Sequence, residues 1–99
     1  MKAYLILDLT IHHLEKFLHY AEVIPAYIAK HQGKYIVKGV EPTVMEGDWQ
    51  PSRVVVLEFP SKEHAQSFLS DPEAQPLFAL RHSSTTSHVI LVEGCEPAV

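Results

Sequence analysis

The sequence predicts an α+β fold, a four-stranded antiparallel sheet with its helices on one face, and three observations carry that prediction. Apolar segments alternate as strand, helix, strand, strand, helix, strand. That βαββαβ order is the split βαβ, ferredoxin-like arrangement, which places both helical segments on the same side of the sheet. The strands are apolar on both faces, which asks for a second copy and hence a dimeric α/β barrel. The chain of 99 residues makes one domain, 1–94, with a tail at 95–99, because chains divide only above roughly 250 residues. About 65% of the unfolded surface would be buried, enough for a core without staples.

The first strand, Lys2 to Thr10, sets Ala3, Leu5, Leu7 and Leu9 on one face and Tyr4 and Ile6 on the other. A helix follows from about His12 to His31, with Leu14, Phe17, Leu18, Ala21, Ile24 and Ile28 at the spacing of one buried stripe. Pro25 offers no N–H to Ala21, so one bent helix is expected, and Gly33 suits a left-handed stop. Lys34 to Val40 and Thr43 to Glu46 read as a second strand interrupted around Gly39 to Pro42, with Gly47 to Pro51 as a turn. Arg53 to Phe59 is the strongest strand, its consecutive Val54, Val55, Val56 and Leu57 implying cover on both faces. Ser61 is placed to cap a short helix that turns Ala65, Phe68 and Leu69 inward, and Asp71-Pro72 to cap further turns reaching about Arg81. A polar loop, Ser83 to Thr86, precedes the last strand, His88 to Glu93, and the tail from Gly94 is expected to fray.

Tyr4, Ile6, Ile36, Val54, Val56, Ile90 and Val92 oppose Leu5, Leu7, Val37, Val55, Leu57, Val89 and Leu91. Two helices cover one of those faces. The other exceeds the few hundred Å² that a monomer normally leaves in water. A homodimer through the open sheet face is the expected cover; a monomer shielded by its own loops and tail is the alternative.

The formal charge of −4, with 8 Lys plus Arg and only Arg53 and Arg81 as guanidinium groups, gives no footprint for nucleic acid. Seven histidines make the charge sensitive to mild acid, and solubility is expected to dip there. One unpartnered cysteine, Cys95, fits a reducing compartment, either as a passive tail residue or as a reactive thiol. Met1 to Thr10 is neither signal peptide nor membrane span, so a cytoplasmic protein without a membrane partner is expected.

The run from Glu46-Gly47-Asp48-Trp49 through Arg53 to Ser61, with Asp71-Pro72-Glu73, Leu80-Arg81 and Leu91-Val92-Glu93-Gly94, resembles a family of small bacterial proteins known as domain of unknown function 1330. The likeness runs from about Ala3 to Gly94 and implies a ferredoxin-like subunit of the dimeric α/β barrel superfamily. It implies no reaction, since that superfamily hosts cofactor-free monooxygenases, isomerases and haem-handling enzymes. The chain departs from the family pattern at His13-Leu14, where Asp-Pro usually opens the helix, and at Lys38-Gly39, where Arg usually precedes Gly. It departs again at Phe68, Leu69 and Ala74, where larger aromatics are common. Lys in place of Arg loses the bidentate fork.

Six residues are candidates for chemistry. Arg81, beside a Ser- and Thr-rich stretch, either clamps a carboxylate or serves as a helix C-terminal cation or a partner of Glu93. Arg53 has the same choice between ligand and structure. Asp8 and Glu58 are charges inside apolar strands, fit for general base work if burial raises their pKa, or else paired at a rim. Tyr20 fits the family motif and would orient a ligand or pack with its hydroxyl outward, while Trp49 would stack a ligand or anchor the dimer. No His pair has the i, i+4 spacing of a metal site, and no nucleophile elbow, Gly-rich phosphate loop or CxxC is present. No metal or cofactor is therefore expected. The function read from these residues is cofactor-free acid/base chemistry on a small carboxylate-bearing compound in a pocket between helices and sheet. The alternative is a dimer that binds a small molecule or a protein without turnover.

Overall fold

The computed structural model describes residues 1–95. Strand β1 (Ala3–Ile11) leads into helix α1 (Leu14–Lys30), strands β2 (Lys34–Val40) and β3 (Arg53–Phe59), then helix α2 (Lys62–Ser70). A single 3₁₀ turn (Pro72–Ala74), helix α3 (Gln75–Ser84) and strand β4 (Thr85–Glu93) complete it. The strands lie in the order β2-β3-β1-β4, all antiparallel, which is the expected ferredoxin-like sheet. Among the described residues no helix is long and apolar enough to cross a membrane.

Alternation along β1 decides the two faces. Ala3, Leu5, Leu7 and Leu9 are buried beneath the helices. Register carries that face across the sheet, with Leu5 opposite both Leu57 and Leu91, and Leu7 opposite both Val55 and Val89. The core closes on a run of rings: Phe59 meets Phe68 at 5.5 Å between centroids, and Phe68 meets Phe78 edge-on at 5.3 Å. Phe59 has no exposed surface, and burying such a side chain contributes about 1.5–3 kcal/mol.

The caps follow the sequence. Ser61 Oγ accepts from the His64 amide and Asp71 from the Glu73 amide, the latter followed by Pro72 at the first position of the turn. Pro25 sits inside one continuous α1. The helix starts at Leu14, two residues after the expected His12, and His13 caps it by accepting from the Lys16 amide.

Four expectations are corrected. Gln32, not Gly33, takes the left-handed conformation after α1, at φ 63°. Gly33 then donates to Ile28 O at 2.8 Å as the outer bond of that helix end. Thr43 to Glu46 form no strand, because the ladder with β3 already ends at Val40 after two register shifts and Pro42 cannot extend it. The first of those shifts sets Val37 opposite Val56, so it lies with the open face instead of with Leu5. Ser83 to Thr86 form no loop, since α3 passes into β4 between Ser84 and Thr85. Hydroxyls of Ser84 and Thr85 accommodate the abrupt change by donating to Leu80 O and Arg81 O at 2.7 Å. Gly94 is tied to Lys2 O at 2.8 Å, and the fraying expected beyond it falls, from residue 96, outside the described residues.

Candidate functional site

The first turns of α1 do not pack as the sequence stripe implies. Leu14 and Leu18 are 60% and 55% exposed, whereas Tyr20, Ile24 and Ile28 are buried. Between that raised end of α1 and the sheet lies a cavity of about 300 Å³. Its body is apolar, built from Leu7, Leu9, Phe17, Val55 and Leu57, with Leu14 and Leu18 at its rim. Its polar groups are Tyr20, Tyr35, Lys38, Arg53 and Arg81. No carboxylate and no imidazole lines it among the described residues.

Arg81 is the innermost of these charges, only 5% exposed. Its guanidinium lies over the rings of Phe78 and Tyr20, at 5.4 and 5.8 Å from their centroids. Nη1 donates to the Tyr20 hydroxyl at 3.4 Å and Nη2 lies 3.2 Å from His82 Nε2. Nε is buried with no hydrogen-bond partner among the described residues. The pairing with Glu93 does not form, because β4 carries Glu93 to the far end of the strand, opposite Ala3. The ion pairs among the described residues involve Lys2, Lys30, Lys34, His31 and His88, and leave Arg81 without a counter-charge.

The opposite wall comes from β2. Because the register shifts between Tyr35 and Val37, Tyr35 stands opposite Leu57 and Lys38 opposite Val55, which puts both on the helix side. A regular strand would have paired Tyr35 with Val37 on that face. Gly39, at φ 70°, supplies the left-handed residue at the second shift, between Lys38 and Val40, and Arg53 Nη1 donates to its carbonyl at 2.9 Å. Lys38 Nζ sits 4.9 Å from the Tyr35 ring centroid. Burial, with a smaller contribution from Tyr20, pushes the Tyr35 phenol up to about 12, so it stays protonated at neutral pH.

Of the six expected residues, the fold therefore gathers Tyr20, Arg81 and Arg53 around one cavity and sends Asp8, Glu58 and Trp49 elsewhere. Asp8 and Glu58 stand opposite Val54 and Tyr4 on the open side of the sheet, since both occupy the alternate positions of their strands. The single pocket combining Arg81, Tyr20 and a carboxylate does not assemble within the chain. Nor is Glu58 raised: Lys2 at 3.1 Å and Lys34 at 3.2 Å hold its carboxyl below the usual range. Asp8 accepts from the His88 amide at 3.1 Å, with His88 Nδ1 at 2.7 Å. Trp49 is 68% exposed and flanks a shallow depression with Ile6, Val54, Ile90 and the Asp8–His88 pair. Sequence patterning does not single out Tyr35, and it marks Lys38 only by the Arg it replaces. Nothing in the sequence marked a bulge that would place them together.

A family model described as "Domain of unknown function (DUF1330)" matches residues 2–95. None of the curated proteins matches the chain. Among solved structures, a protein of unknown function from Rhodopseudomonas palustris superposes with a TM-score of 0.79 at 16% identity, over 97% of this chain and 84% of that one. SnoaB of Streptomyces nogalater, a cofactor-independent oxygenase, gives 0.69 at 17% over 96% and 94%. A dimeric ferredoxin-like protein of unknown function from Jannaschia sp. CCS1 gives 0.73 at 9% over 95% and 100%. Identities this low speak for the fold alone.

Proposed function

The chain belongs to the DUF1330 family, and from that premise we propose that it is a homodimeric protein that binds an apolar small molecule through an anionic oxygen group, a carboxylate above all. Arg81 holds the anion and Tyr20 orients it in the cavity between α1 and the sheet. The observation that carries this reading is the buried, unpaired Arg81. A buried guanidinium that, among the described residues, has no partner for Nε, no counter-charge and no acidic lining in the cavity it faces is costly by itself, and an incoming carboxylate supplies both charge and acceptor atoms.

The second copy covers the open sheet face, where Ile90, Val92 and Trp49 remain 55%, 39% and 68% exposed. Trp49 is the anchor in this reading, and the dimeric relative from Jannaschia lends precedent. Cofactor-free chemistry on the ligand, for which SnoaB gives the fold a precedent, would draw its proton donor from Tyr20 or Tyr35. We assign no base role to Asp8 or Glu58, because the sheet stands between them and the cavity. Binding without turnover is the second reading, and the absence, among the described residues, of a carboxylate or imidazole from the cavity lining favours it.

Native mass spectrometry followed by a thermal-shift screen of small carboxylic acids on wild type and Arg81→Ala tests the pocket. We expect stabilisation of the wild type alone. Acids that stabilise both proteins equally would remove Arg81 from the role, and only product formation would establish turnover.

A further inference from the structure

Three of the chain's 8 Lys and Arg residues line this one cavity and, among the described residues, no Asp or Glu does, although the chain as a whole carries −4. The three cations are not equivalent. Arg81 is buried at the inner end, whereas Lys38 and Arg53 are exposed at the outer one, on the edge of the wall that β2 and β3 form. Lys2, Lys30 and Lys34 each find a carboxylate. Lys38 and Arg53 enter no ion pair among the described residues; each is instead held at the rim, Lys38 over the Tyr35 ring and Arg53 on the Gly39 carbonyl. A largely apolar cavity lined by one buried cation and two exposed ones complements a ligand that is apolar in its middle and anionic at both ends.

We infer that the ligand carries a second anionic group at its outer end, received by Lys38 and Arg53, so that the preferred class is an apolar diacid and not a simple fatty or aromatic acid. This rests on the reading of Arg81 as the inner anion site and names the substrate class of that site. Held across the sheet by charges at two depths, such a ligand is fixed in direction as well as place, its middle against Leu9, Val55 and Phe17. The outer contact is solvent-exposed, so its share of the affinity is modest and weakens with salt.

Isothermal titration calorimetry with octanedioate and octanoate on the full chain tests it. Wild type is expected to bind octanedioate about tenfold more tightly than octanoate at low salt, roughly one charge-assisted contact's worth. Lys38→Met should shrink that preference several-fold, Lys38→Arg should keep it, and Lys38→Met with Arg53→Gln should abolish it while octanoate affinity is retained. Equal affinities in the wild type, or an undiminished preference in the double variant, overturn the second anion site and leave the first intact. If neither acid binds, or both bind Arg81→Met as well as wild type, the inner site fails and the outer one with it.

Discussion

The backbone at Gly33 runs so close to Phe59 that a Cβ added to Gly33 would lie 2.5 Å from Phe59 Cε1. Glycine is required there by contact with the core, while the strained left-handed position belongs to its neighbour Gln32. Gly33→Ala is therefore expected to destabilise the fold by about 1–3 kcal/mol through overpacking. Gln32→Gly should stabilise it by up to about 1 kcal/mol, relief of the left-handed strain being partly offset by a looser unfolded chain. Urea unfolding of both variants checks the pair; the reverse order would put the constraint back on Gly33's own dihedral angles.

Arg81→Met should leave the ligand-free protein as stable as wild type or more so, by about 1 kcal/mol, because the substitution keeps the apolar stem against Phe78 and Tyr20 and removes an uncompensated buried charge. A strong loss of stability without ligand would mean that the guanidinium is a structural tie between α3 and α1.

Asp71 joins the end of α1 to the 3₁₀ turn, accepting from Lys30 Nζ and lying 2.8 Å from both Lys30 Nζ and His31 Nε2. Lys30 first, then His31, hold its carboxyl down at about 2, against an ordinary value of 3.8. A carboxyl with a folded pKa below its unfolded one contributes stability that is complete above about 3.8 and is lost as pH falls through about 2. Glu58 acts in the same direction through Lys2 and Lys34. Melting temperature is thus expected to fall through this acid window, and Asp71→Asn should start lower at neutral pH and descend less steeply. Parallel curves for variant and wild type would show that Asp71 is not the group responsible.

Ile90 and Ile6 face each other on the open side of the sheet, with Val54 and Trp49 beside them. Ile90→Asp should convert a particle of twice the chain mass into one near 11.2 kDa on size exclusion with light scattering, with little change in secondary structure, since a charge cannot be buried there unpaired. A wild type that already elutes as a monomer would sink the dimer outright.

Local chemistry was enough to read the element order. The helix α1 itself, the β-branched run Val54–Val56 and the caps at Ser61 and Asp71 each depend on neighbours within a few residues, and each formed as expected, although the first turns of the α1 stripe, Leu14 and Leu18, stay exposed. The site was half legible. Tyr20, Arg53 and Arg81 meet at the cavity because their elements were read correctly, whereas Asp8 and Glu58 were assigned to it without knowledge of which face a strand's alternate positions occupy. Tyr35 and Lys38 escaped because a regular two-residue alternation separates them, and only the shifted register against β3 brings them to one side.

By itself, then, the sequence determined the α+β order, the apolar character of both sheet faces and the scarcity of guanidinium groups, all properties of composition and short-range spacing. Tertiary structure alone decided that three cations line one cavity and that, among the described residues, every carboxylate is kept out of it. That outcome depends on pairing between strands far apart in the chain and on where a helix end lifts off a sheet, and neither is set by residues close together in sequence.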